Sequence, residues 1–428
     1  MKRKPLSLGR YTLIAKNASY LTAFEIMRII MPFIAMPYLI HTVGKEHYGA
    51  VVVAQAIIAF ASLMVNFGLD ISAVKDIAQS RDSRTKTDET VSSVMIIKAT
   101  LFFFAWATLN LLIHAVPYFS RISVLLHFAF LTCIADVLIP IWYYQGKENM
   151  KMLAIVRFFS IAFYTLTIFI FVRSADDYPY IPLLQSAGMI LSGLASCYFV
   201  FVKDRVRFYL PPFSVILQKF RASVPFFLSR ASLVVNAQMA RIMCDVWLTR
   251  ADVTAFDVAQ KLCNGGMIPM QMFNQALWPN LSKSQDKSLL RHSVGVMLLI
   301  TGAVTVALFL LSGIATDLLS VGKTPQAAGV LQILCFYVFL SGMSILLGAS
   351  ALIAFGHQRS FNMSVILSSI VLLASYALMI LTHNNSIYLY AWTLGLAESV
   401  VLGYRFLYCR KYGLIRWKDL IFKRSKIQ

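Results

Sequence analysis

Apolar runs long enough to cross about 30 Å of hydrocarbon recur from one end of this chain to the other, and no long hydrophilic block separates them. Inside lipid such a run can satisfy its own backbone only as a helix, because there is no water to meet an unpaired N–H or C=O. The runs fall near 17–43, 48–72, 91–115, 122–144, 152–172, 180–202, 222–248, 254–279, 292–313, 326–355, 361–382 and 387–408. The expected fold is therefore all-α: a polytopic membrane protein of about twelve transmembrane helices. Composition agrees, since 58% apolar and 14% charged residues over 428 positions leave too little polar surface for a soluble globule of this size.

The formal charge of +20 would suggest nucleic-acid binding in a soluble protein. Here no compact basic domain with interleaved aromatics exists, so no nucleic acid is expected as a partner. Most cations fall on alternate connections, as the positive-inside rule requires. With the amino terminus inside, the outer connections hold only Lys45, Arg121, Arg173, Arg250 and Lys323. Both termini are then cytoplasmic, and the basic amino-terminal run leads into an uncleaved first span, because no short apolar core with a small-residue cleavage site follows it.

The longest basic connection, Lys203 to Arg221 with Pro211-Pro212, leaves six spans on either side. The expected organisation is a six-helix bundle over 1–205, a cytoplasmic connection over 206–221 that reads as a hinge, and a second six-helix bundle over 222–428 with a basic tail. The two bundles would enclose a central cavity. A weak repeat agrees with this division: Ala54-Gln55 and Ala259-Gln260 occupy corresponding places in the second and eighth spans, as in transporters built from repeated bundles.

Four fixed cations, Arg28, Arg230, Arg241 and Lys261, lie within these spans. Each costs about 2.5–3.5 kcal/mol on insertion scales and so tends to face water or an anion. At about 100° per residue, Arg230 and Arg241 share one helix face. Asp257, Lys261, Asn264, Gln271 and Gln275 fall within about 40° of one direction. Gln55, Ser62 and Asn66 line one side of the second span. The candidate binding residues are therefore Arg28, Arg230, Arg241 and Lys261 for an anion, with Asn66, Asn264 and Gln271 for hydroxyl groups. The plainer alternative is that Glu25 with Arg28, Arg241 with Asp245, and Asp257 with Lys261 are neutralised pairs that only fasten helices. Glu25, Asp136, Asp245, Asp257 and Glu398 are candidates for ion coupling, since a buried carboxylate can take up a proton. Asp70, close to a span end, reads as a solvated interfacial residue.

Several tempting motifs lead nowhere. Gly322-Lys323-Thr324 lacks the leading glycine of a phosphate loop, because Asp317 stands there. Cys133, Cys197, Cys244, Cys263, Cys335 and Cys409 form no C-x-x-C pair, and the histidines form no metal motif. No metal, cofactor or catalytic set is expected. Trp142, Tyr143, Tyr144, Trp247 and Trp278 sit near span ends, where aromatic residues anchor helices at the interface.

Asn17 opening the first span, Gly44 with Tyr48-Gly49 at the first outer turn, and Trp142-Tyr143-Tyr144-Gln145-Gly146 followed by Met150 and Arg157 resemble the polysaccharide flippases, and most of all the O-antigen (Wzx-type) group. The resemblance implies the multidrug/oligosaccharidyl-lipid/polysaccharide exporter fold in a bacterial inner membrane. It implies a role in lipopolysaccharide biosynthesis, with an undecaprenyl-pyrophosphate-linked oligosaccharide as substrate, moved to the periplasmic leaflet. Contact with membrane lipid and with the polysaccharide polymerase and chain-length machinery would follow. Two rival functions stay open: an ion-coupled drug or metabolite antiporter of the same fold, and a membrane polymerase or ligase acting on lipid-linked sugars. The second would need a catalytic extramembrane loop, and no outer connection exceeds roughly a dozen residues.

Overall fold

The computed structural model describes residues 8–81 and 83–415, with side chains at Met27 and from Ile30 onward. Among the described residues there are helices and no strands. The helices are α1 (Leu8–Asn66), α2 (Leu69–Gln79), α3 (Arg84–Ala115), α4 (Pro117–Ser120), α5 (Ser123–Phe130), α6 (Thr132–Leu138), α7 (Ile141–Gly146), α8 (Met150–Phe171), α9 (Tyr180–Tyr198), α10 (Phe213–Trp247), α11 (Arg250–Gly266), α12 (Ile268–Ser284), α13 (Lys287–Leu310), α14 (Ser312–Ser320), α15 (Gln326–Ile345), α16 (Gln358–Leu381) and α17 (Ile387–Lys411). The chain divides into two compact units at Ala231 and Ser232, inside α10.

Eight segments are long and apolar enough to cross a membrane: Ile30–Gln79, Arg84–Ala115, Ser123–Gly146, Met150–Phe171, Tyr180–Lys203, Lys287–Leu310, Gln326–Ile353 and Gln358–Leu381. The first covers the later part of the expected span 17–43 and all of 48–72. The other expected spans, 222–248, 254–279 and 387–408, correspond to α10, α11 with α12, and α17, and are too polar to meet the same apolar test. They are the elements that carry Arg241, Asp257, Lys261 and Glu398.

The N-terminal unit is organised by a reversal at Gly44. Its φ of 81° and ψ of 162° interrupt α1 in a region only glycine occupies readily. Three contacts trace the reversal. Tyr38 Oη donates to the carbonyl of Val172 at the end of α8, His47 stacks on Tyr178 in the turn between α8 and α9, and Gln55 donates to Gln185 on α9. α1 thus packs along α8 and touches α9 at Gln55. No atom lies within 4 Å of the position a Gly44 side chain would take, so Gly44→Ala carries torsional strain alone. A loss of about 1–3 kcal/mol is expected, read as a lower thermal midpoint of the detergent-solubilised protein.

Trp142, Tyr143 and Tyr144 correct the expectation of interfacial anchoring, because they are among the most buried side chains of the chain. They pack with Leu69, Ile77, Val91 and Val206 in the core of this unit. Tyr144 Oη donates to the carbonyl of Ser196 and Tyr143 Oη to Asp204, which satisfies their polar ends. Trp247 and Trp278 are exposed, as an interfacial role requires.

The connection after α9 is tied down along its length. Arg207 N–H donates to Asp88, Tyr209 N–H to Ser92, Arg84 to the carbonyl of Arg205, and Lys219 to Asp76 at 2.9 Å. Val206 is buried in the same core.

The C-terminal unit packs α17 against α15 and α16, with α11 and α13 also against α15. The expected single span over 254–279 is two helices, α11 and α12, meeting at Met267. Gly265-Gly266 weaken the helix there, and Pro269 removes the N–H that the Gly265 carbonyl would otherwise accept.

Candidate functional site

In the N-terminal unit a buried lysine organises a polar cluster. Lys98 lies in α3 with 2% of its side chain exposed. Its ammonium spends three donors on Asn66 Oδ1 at 2.8 Å, Asp70 Oδ1 at 2.9 Å and the Asp136 carbonyl at 3.2 Å. That carbonyl is available for a definite reason: its ordinary helical partner is the N–H four residues on, and residue 140 is proline. Ser62 donates to Asp136 Oδ2, and Asn66 donates to the Ser62 carbonyl.

Two cavities adjoin this cluster and share Asp136, Gln185 and Met189 in their walls. One, of about 240 Å³, is also lined by Gln55, Ser62 and Thr132. The other, of about 390 Å³, is lined by Asn66, Asp70, Lys98, Arg157 and Tyr164.

In the C-terminal unit α10 and α11 form a hairpin at Thr249, whose side chain accepts from Asp252 N–H in a capping box. Arg241 and Asp257 lie equally far from that turn and meet: Nη2 is 3.0 Å from Oδ1. Lys261, one turn further along α11, takes the other oxygen at 2.7 Å. Asp257 is 2% exposed, against 13% for Arg241 and 28% for Lys261. A single buried carboxylate therefore holds two cations. Asp245 pairs with Arg250 at 3.6 Å.

Arg241 also faces a cavity of about 480 Å³, together with Gln260, Asn264, Gln271, Glu398 and Arg405. Arg241 Nε and Gln260 Oε1 are buried without a hydrogen-bond partner. A buried unpaired donor or acceptor costs about 1–3 kcal/mol.

The expected residues thus separate by unit. Arg241, Asn264, Gln271 and Glu398 come together around one cavity, and Asn66 and Asp136 around others. Lys261 is held on Asp257 rather than in the cavity wall. Arg230 is exposed on α10 and lines none of these cavities. The side chains of Glu25 and Arg28 lie outside the described residues. Gln55 and Gln260, the repeat pair, each line a cavity of their own unit. Asp70 corrects the sequence expectation, because it is the ion-pair partner of Lys98 and not merely a solvated end residue. Lys98, Arg157 and Arg405 were missed: each sits close enough to a span end to count with the cytoplasmic basic residues. Among the described residues no three His, Cys, Asp or Glu side chains converge as a metal site would require.

Residues 14–285 match the family described as "Polysaccharide biosynthesis protein". An Escherichia coli (strain K12) protein named "Putative O-antigen transporter" is 24% identical over 370 residues, covering 84% of this chain and 88% of that protein. A Shigella dysenteriae protein of the same name is 28% identical over 275 residues, covering 63% of this chain and 67% of its own. Among solved structures, the lipid II flippase MurJ in an inward closed conformation superposes with a TM-score of 0.72 at 14% identity, over 93% of this chain and 88% of that one. An inward-facing multidrug resistance MATE family transporter of the MOP superfamily gives 0.69 at 14% identity, over 90% and 98%. The fold is that of the MOP-superfamily transporters.

Proposed function

We propose that this chain, which belongs to the polysaccharide biosynthesis protein family, is a flippase for undecaprenyl-pyrophosphate-linked oligosaccharide. It would carry the O-antigen repeat unit from the cytoplasmic to the periplasmic leaflet of a bacterial inner membrane, with both termini cytoplasmic. The relatives are named as O-antigen transporters, which favours transport over a polymerase or ligase.

The physical problem is the head group. An unpaired ionised group moved into a medium like hydrocarbon costs tens of kcal/mol by Born solvation, whereas the polyprenyl tail is at home in lipid. A flippase must therefore offer the diphosphate fixed counter-charge and the sugar hydroxyls polar partners, and present that site to each leaflet in turn. Arg241 carries this reading: its side chain lines a polar cavity and is held there by the carboxylate of Asp257. Lysine and arginine stay charged at any relevant pH, and arginine donates in a fork that fits phosphate oxygens. Arg28, Arg230 and Lys261 would add counter-charge along the path, and Asn264 and Gln271 would meet hydroxyls.

Arg241→Gln should abolish surface polysaccharide in a strain lacking the chromosomal copy and leave lipid-linked repeat units on the cytoplasmic leaflet. Arg241→Lys keeps the bond to Asp257 and should retain part of the export. Arg230→Ala and Lys261→Ala should each lower export with the protein still folded. Wild-type export in Arg241→Gln at equal protein level would refute the assignment.

A further inference from the structure

Resting on the flippase reading above, we infer that Arg405 on α17 is a second anion anchor in the cavity of Arg241, and that the two together select a diphosphate over a single phosphate, against the repulsion of Glu398 in the same lining.

Arg405 is 8% exposed and its orientation is fixed by the protein. Nε donates to Ser364 Oγ at 2.9 Å, and Nη1 to both the carbonyl and the hydroxyl of Ser344 at 2.8 Å. Its guanidinium lies over the Phe361 ring, 4.8 Å from the centroid. These contacts engage Nε and Nη1. Nη2 has no hydrogen-bond partner among the described residues, although the side chain lines the cavity. Arg241 is fixed in the complementary way. Nη1 donates to Gln238 at 2.7 Å and Nη2 meets Asp257, while Nε is left over.

Two pre-oriented guanidiniums from different helices therefore line one space. A single phosphate can satisfy one of them well. Two linked phosphates can satisfy both, because the second contact is made without a second loss of translational freedom. The cavity also holds an opposing charge. Glu398 shares the lining with both arginines and with Gln260 and Asn264, and as a carboxylate it repels an arriving anion. Space for the guanidinium is reserved by Gly348, where a Cβ would stand 2.8 Å from Arg405 Nη1.

The test is equilibrium binding of inorganic pyrophosphate and inorganic phosphate to the purified, detergent-solubilised full chain. The unaltered protein should prefer pyrophosphate. Arg405→Lys keeps the charge but not the fork. It should weaken pyrophosphate about 10–100-fold and phosphate only a few-fold. Gly348→Ala, which pushes the guanidinium aside without removing it, should act in the same direction, so a folding defect in one variant does not decide the matter. Glu398→Gln should tighten both anions, by about 10-fold; unchanged affinity overturns its part. If both Arg405→Lys and Gly348→Ala bind pyrophosphate as the unaltered chain does while Arg241→Gln is weakened, the assignment of Arg405 falls and the flippase reading stands. If the unaltered protein shows no saturable pyrophosphate binding, both fall.

Discussion

Replacing Lys98 with methionine should destabilise the protein by about 3 kcal/mol, the lower end of what removing one partner of a buried ion pair costs. The lower end applies because Asp70 is 27% exposed and water can take up part of its lost contact. The side-chain volume is nearly conserved, so the loss is electrostatic. Asp70 loses its cation, and the Asp136 carbonyl loses its donor at a place where Pro140 cannot supply one. In detergent the thermal midpoint should drop by on the order of 10 °C. A second-site change isolates the charge. Asp70→Asn in the Lys98→Met background removes the stranded charge and should restore most of the stability, since replacing both members of a buried pair is often neutral. A Lys98→Met protein that melts with the unaltered chain would show that the cluster contributes nothing to the fold.

What could be read from the sequence, and what could not, follows from range. Apolar length is local, so the spans are legible, but the partners across the hairpin at Thr249 were not: the sequence suggested Arg241 with Asp245, whereas Arg241 meets Asp257 and Asp245 meets Arg250. Periodicity placed Asn264 and Gln271 on one face, and both line the cavity. The repeat of Ala54-Gln55 as Ala259-Gln260 marked two glutamines that face cavities. Burial of a cation near a span end is different. Lys98 is buried by Asp70 and by the carbonyl of Asp136, which are 28 and 38 residues away in the chain, and Arg405 by serines 41 and 61 residues away. Nothing local separates such a residue from one that reaches the headgroups. The positive-inside count absorbed both. Pro140 is the one local clue in the sequence, because a helical carbonyl deprived of its N–H four residues before a proline needs a donor from elsewhere. The break at Gly265-Gly266 was likewise visible as residues, but the apolar run through it hid the division.

Removing the carboxylate of Asp257 tests whether Arg241 binds cargo or only fastens helices. Both oxygens are engaged, one by Arg241 at 3.0 Å and one by Lys261 at 2.7 Å, so Asp257→Ala strands two cations at once. A loss of about 3–5 kcal/mol is expected, seen as a sharp fall in folded protein recovered from membranes. The two cations are not equally stranded. Lys261 is 28% exposed and can turn its ammonium toward water along a flexible stem. Arg241, at 13%, has nowhere comparable to go. Asp257→Ala with Arg241→Met should therefore recover more folded protein than Asp257→Ala with Lys261→Met. Export should rank in the opposite order. The first pair would be folded and silent, because the anion-binding guanidinium is gone; the second, though less stable, would keep Arg241 at the cavity and retain measurable export per folded molecule. Export at the level of the unaltered chain in the Asp257→Ala, Arg241→Met protein would reduce Arg241 to a fastener and remove it from the transport site.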